Sequence, residues 1–337
     1  MGVLDRLFGR RTDGDRTDEL LTRALDRTVE VVEPKLALAR DWRTRLRPGV
    51  EAAVELARST AMRLQEFHEA SEVAWGSDPV IRALFATAAD VTQVLKRSSE
   101  LQRHFRAADA GDEAYAVLGA DFETKRVLGA TLEGDQVRQD VSLTQARFGG
   151  QHIRIVAAAP ELLQRATGVR IFNQMLLAAT RRLAEVDRLR EDANVTRALL
   201  QARLRMLDAN EETLEPVAGD GDSAADPTVE RAGIERQLAA MTAATESSGA
   251  GVQGIDTKLE IVRDALLEAA QSIRIEPKQI RLDAVNTVLD EDAQAGTAIA
   301  FLQIRTREFS RAYVGIHVRR ADVPAGGLAF ADAEREL

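Results

Sequence analysis

The 337-residue sequence contains no cysteine. Disulfides, thiolate metal sites and cysteine nucleophiles are therefore excluded. Aromatic residues make up only 4%, too few for a nucleic-acid reader built on stacked rings. Only four histidines occur, His68, His104, His152 and His317, which leaves little for imidazole chemistry. No apolar run approaches the roughly 18 residues that a membrane span needs. The N-terminus lacks the apolar stretch of a secretory leader, so a cytoplasmic protein is expected. The net charge of −9 opposes attraction of the whole molecule to nucleic acid or to an anionic membrane.

Catalytic motifs are missing as well. There is no His-Glu-x-x-His zinc pattern, no Gly-x-Ser-x-Gly elbow and no phosphate-cradling loop. Gly219-Asp220-Gly221-Asp222 lacks the Lys and Ser/Thr of a P-loop. The acidic run Asp220–Asp226 has Ala224 and Arg231 where a calcium loop needs ligands. No metal and no cofactor is expected, and the chain is read as a non-enzyme.

What is present is apolar periodicity. Hydrophobic residues are 45% and charged residues 29%, enough for a sizeable core. Residues 1–18 read as a basic amphipathic N-terminus and linker. There Val3, Leu4, Leu7 and Phe8 share a helical face, with Arg6, Arg10 and Arg11 beside it. Such a turn suits a membrane interface or a partner surface, with avidity supplied by an oligomer. Residues 19–110 read as four or five helices, broken at Pro48-Gly49 and running from Val50 to about Trp75. Asp78 with Pro79, and Thr87 with Asp90, give N-terminal helix signals. The face Glu66, His68, Glu69 reads as a solvated helix surface.

Within 111–160 the period changes to two, predicting three or four antiparallel strands with turns at Glu133-Gly134-Asp135 and Gly149-Gly150. Residues 161–210 read as one heptad helix, spanning roughly 75 Å at the rise of an α-helix. Its seam runs through Leu176, Leu183, Val186, Arg190, Arg197, Leu200, Leu204 and Leu207. Arg190 and Arg197 inside a seam call for acidic partners. Residues 211–227 form an acidic flexible linker. Residues 228–273 return as a helix with a Gly-rich break, its seam resuming at Ile255, Leu259, Val262 and Leu266. Residues 274–320 alternate again, with a switch after Pro277 and a Thr297–Ile304 run suggesting a central strand buried on both faces. Residues 321–337 read as a disordered tail.

The fold class expected is α+β and predominantly α. A helical region leads into a long antiparallel coiled-coil hairpin, with two antiparallel strand groups forming a composite β domain at its base. Two tandem α+β units are the alternative. If the strand groups join, His152 and His317 could approach one another.

Between Arg165 and Arg205 lie nine arginines and four acids. Arg181, Arg182 and Arg188 are the candidate electrostatic contact. The favoured function is a coiled-coil scaffold or adaptor acting by self-association and binding of other proteins. A membrane surface is a further contact for the N-terminus, and nucleic acid is not an expected partner. The alternatives are an enzyme or small-molecule sensor with its site in the β domain, and a nucleic-acid-associated structural protein using the Arg-rich helix.

Overall fold

The computed structural model describes residues 13–133, 136–211, 227–247, 254–306 and 309–324. Residues 1–11, most of the acidic linker, the Gly-rich break and most of the tail therefore lie outside the described residues, as does Gly134-Asp135. Helices and an antiparallel sheet make the fold α+β, as the composition of periods implied. The chain divides into two compact units.

The first unit contains the described residues from Ala53 to Asn173 and from Ala270 onward. Its centre is one sheet. Strands β2 (Glu113–Glu133) and β3 (Gln136–Ala157) form a long hairpin. After the helices come β4 (Arg274–Leu282), β5 (Val288–Leu289), β6 (Thr297–Arg305) and β7 (Ser310–Arg319). The order is β3-β2-β7-β6-β4-β5, so the two strand groups are joined by β2 against β7, from Glu113↔Arg319 to Asp121↔Arg311. The sheet curls until β3 meets the segment before β5 at a bridge between Gln145 and Thr287. Curling hides edges that an open sheet would present for aggregation.

Alternation along β2 explains the core. Ala114, Ala116, Leu118, Ala120 and Phe122 face inward with Ala312, Val314, Ile316 and Val318 of β7. They pack on short helices α3 (Glu72–Ser77), α4 (Pro79–Leu84), α5 (Ala88–Arg97) and α6 (Ser99–Arg106) through Ile81, Leu84, Leu95 and Leu101. Val117, on the opposite face, meets Leu64 and Leu163. The cap signals hold. Asp78 Oδ1 accepts from the N–H groups of Val80 and Ile81 at 2.8 and 3.2 Å, and Thr87 and Asp90 form a reciprocal capping box.

Several expectations fail for identifiable reasons. The helix α2 (Trp42–Ala61) runs straight through Pro48-Gly49. Pro48 costs one backbone hydrogen bond, but Gly49 is buried against another helix and Leu46 and Val50 are fully buried beside it. Tertiary packing outweighs the local breaker.

The apolar pattern from Val50 to Trp75 does not stay helical. Phe67–Glu69 is a strand, β1, parallel to β7. Gly315 permits this, because a Cβ there would lie 2.5 Å from the Glu66 carbonyl oxygen. His68 is thus a strand residue, its Nδ1 2.8 Å from Asp78 Oδ2. The region holds six α-helices rather than four or five. One of the extra ends comes from Ser98, whose side chain caps α6 and divides it from α5.

The first strand group is one two-stranded hairpin instead of three or four strands. Gly149-Gly150 is a bulge within β3, with Gly150 at φ +59 opposite a register shift at Gly119/Asp121. Glycine supplies the left-handed conformation that a bulge needs. Strand β4 begins at Arg274 and contains Pro277. It tolerates proline because β5 pairs only with Arg281 and Leu282, leaving the Pro277 stretch at an edge of the described sheet. The alternation through Val288 is interrupted by a turn in which Asn286 has φ +63. In β6, burial on both faces is confined to Phe301, Leu302 and Gln303.

The second unit takes α1 (Asp13–Val32), the start of α2 and residues Gln174–Ala269. It includes most of α7 (Pro160–Glu211), then α8 (Pro227–Ser247) and most of α9 (Gly254–Ser272). Leu21, Leu25, Val29, Leu46 and Val50 are buried, as are Met175, Leu176, Leu259, Val262 and Leu266. Ion pairs tie the helices together: Arg43 to Asp26 at 2.8 Å between α1 and α2, and Arg45 to Glu260 at 2.7 Å and to Asp256 between α2 and α9. Helix α2 is thus a partner of the heptad helix α9, and α1 of α2, pairings that the heptad pattern alone does not reveal.

Candidate interaction surface on the long helix

Helix α7 starts where proline is tolerated, with Pro160 at its first position and Glu161 in its first turn. It then runs for 52 residues. Thr167, Thr180 and Thr196 each donate their hydroxyl to a carbonyl four residues back, which removes them as breakers.

The seam is buried only in part. Leu176 is 0% and Leu183 4% exposed, and on α9 Leu259, Val262 and Leu266 are each 0% exposed. Ile255 is half-buried. Further along α7, Val186, Arg190, Arg197, Leu200 and Leu204 are also half-buried. Leu207 lies in the helix, with its side chain outside the described set.

The two seam arginines are held differently. Arg197 Nη2 donates to the Met241 carbonyl of α8 at 3.4 Å. For Arg190 no carboxylate lies within 4 Å among the described residues, and its half-burial lets the guanidinium reach water. The α7–α9 ion pair that does form lies one residue from the seam position Val186, where Lys258 Nζ sits 2.6 Å from Asp187 Oδ2.

Arg181, Arg182 and Arg188 are all exposed. Arg182 pairs with Glu185 at 2.9 Å, one helical turn away. Such a pair contributes little to stability, which leaves these charges free to act in recognition.

The sequence reading missed a second apolar stripe. Val195, Leu199 and Met206 are 51%, 66% and 71% exposed. Their spacing of four and seven residues puts them on one helical face, turned away from Arg190 and Leu204. Arg181 and Arg188 fall on the same face toward the N-terminus. The signal is present in the sequence as Val195, Leu199 and Met206 at helical spacing, alongside the longer Leu176–Leu207 seam.

The strand groups do not bring the two strand histidines together. His152 sits opposite Gly119 and His317 opposite Tyr115, four positions apart along β2. That is about 13 Å at the rise of a strand. His152 Nδ1 lies 2.8 Å from the Gly150 carbonyl oxygen. His317 Nε2 lies 3.2 Å from Glu113 Oε2 without hydrogen-bond geometry. Among the described residues, no group of three or more His, Cys, Asp or Glu side chains is placed to hold a metal ion. Nor is any described helix long and apolar enough to cross a membrane. Comparison with protein-family models, with curated proteins and with solved structures finds no match for this chain.

Proposed function

We propose that the chain is a non-catalytic scaffold or adaptor that acts by self-association through α7, with a second copy of the chain as the occupant of the exposed stripe. The observation that carries this reading is the exposure of Val195, Leu199 and Met206 on one face of a single long helix. Contiguous exposed apolar surface marks an interaction site. Two copies running antiparallel about Leu199 lay one stripe against the other, so a single self-complementary face serves both partners.

In the same reading α7 and the α8–α9 return form an antiparallel coiled-coil hairpin. The Arg197–Met241 and Lys258–Asp187 bonds support it. Cysteines introduced as Leu183→Cys with Leu266→Cys would then crosslink within one chain. The amphipathic segment 1–11 would take the assembly to a membrane surface, tested by liposome flotation with and without those residues.

The deciding experiment is sedimentation velocity over a range of concentrations. Self-association that weakens in Leu199→Glu, with unchanged helicity, supports the proposal. A monomer at every concentration sinks it.

A further inference from the structure

Strand pairing in the sheet has an electrostatically unfavourable feature. Arg274 of β4 lies directly opposite Arg305 of β6. Like charges directly opposite one another destabilise a sheet. Among the described residues neither guanidinium has a carboxylate oxygen within 4 Å, although both line the same small cavity. Glu276 and Gln303 complete that lining. These last two are themselves a cross-strand pair, one step along from the arginines.

The cavity has a built floor. Gln303 is only 6% exposed, and its Nε2 donates to Ser310 Oγ at 2.8 Å, which fixes the amide. Lys278 follows Glu276 on the same face of β4. It is half-buried, with Nζ 4.8 Å above the Phe122 ring. Burial, followed by the charge of Arg305, lowers its pKa from the ordinary lysine value, while Glu276 opposes the shift. Two cations, one carboxylate and one amide thus line a space of about 30 Å³, with Lys278 next along the same strand face. This holds a few water molecules or one small group, and no ring or acyl chain.

We propose that Arg274, Arg305 and Gln303 form a binding site for a phosphate group, free or as the terminus of a small phosphate ester, with Lys278 adding charge at its edge. Two guanidinium forks approaching from neighbouring strands suit a tetrahedral oxyanion with several acceptor oxygens. Bound phosphate turns the repulsion between the arginines into a shared attraction. Glu276 limits affinity, because it faces the same oxygens. The proposal is independent of self-association through α7, and it places a small-ligand site in the β domain.

The test uses the full chain, with inorganic phosphate and glycerol phosphate as probes at matched ionic strength, read by calorimetry and thermal unfolding. Saturable binding is expected, weakened at least about tenfold in Arg274→Gln with Arg305→Gln and tightened in Glu276→Gln. In phosphate-free buffer Arg305→Gln is expected to raise the unfolding midpoint and to abolish the rise that phosphate produces. Tighter binding of the ester identifies an organic phosphate as the ligand, and tighter binding of inorganic phosphate identifies the free ion. Absence of saturable binding of both probes overturns the site, as does equal affinity in the double variant or a lower phosphate-free midpoint for Arg305→Gln.

Discussion

Gly49 of α2 rests on the main chain of Arg263 in α9: a Cβ at position 49 would lie 2.7 Å from the Arg263 carbonyl oxygen. Glycine inside a helix ordinarily costs about 0.5–1 kcal/mol relative to alanine. Here the close approach reverses that preference.

Gly49→Ala is therefore expected to destabilise by about 1–3 kcal/mol, because the obstacle is backbone and the helices must part. Gly233 in α8 has nothing within 4 Å of its added Cβ. Gly233→Ala is expected to stabilise by about 0.5–1 kcal/mol. Urea unfolding of the two variants should move the midpoint in opposite directions.

His104 gives a pH dependence with a defined sign. Burial, followed by the charge of Arg320, lowers its pKa from the ordinary 6.5, while Asp109 acts the other way. Its Nε2 is buried without a hydrogen-bond partner among the described residues. The unfolded chain therefore takes up this proton first as the pH falls. The stabilising contribution is complete above pH 6.5 and is lost as the pH drops toward the folded-state pKa. His104→Gln should flatten that part of the stability profile, measured by denaturant unfolding at a series of pH values.

Asn286 combines φ +63 with a hydrogen bond from its Nδ2 to the Ala83 carbonyl at 3.0 Å. Alanine and glycine both remove the bond, but only alanine keeps the left-handed strain. Asn286→Ala should be about 1 kcal/mol less stable than Asn286→Gly. Equal unfolding midpoints would show that the backbone relaxes at this turn.

Asp78 caps α4 with one carboxylate oxygen and meets His68 with the other. Asp78→Ala should cost about 1–2 kcal/mol by releasing the cap. Asp78→Asn keeps a capping oxygen, so its loss should be the smaller of the two.

Where periodicity ran uninterrupted, the sequence was legible. Pro160 opened α7 as expected, and Ala312, Val314, Ile316 and Val318 alternated into the core. Elements decided by distant partners were not. Pro48-Gly49 looked like a break because nothing local reveals that Arg263 packs over it. Phe67–Glu69 is only three residues long and exists because Gly315 leaves room. Gly149-Gly150 carries the same letters in a turn and in a bulge. The Arg274–Arg305 pairing depends on a register across a loop, which composition does not encode.

Strand β2 pairs with β7, which follows it by almost two hundred residues. As the chain leaves the ribosome, the inward row Ala114 to Phe122 waits with no second strand on that side until residues 310–319 exist. Contacts this remote in sequence slow folding and prolong exposure of sticky intermediates. The sheet is therefore completed only after synthesis has passed β7, and shielding of β2 by a chaperone in that interval would govern the yield of correctly folded chains.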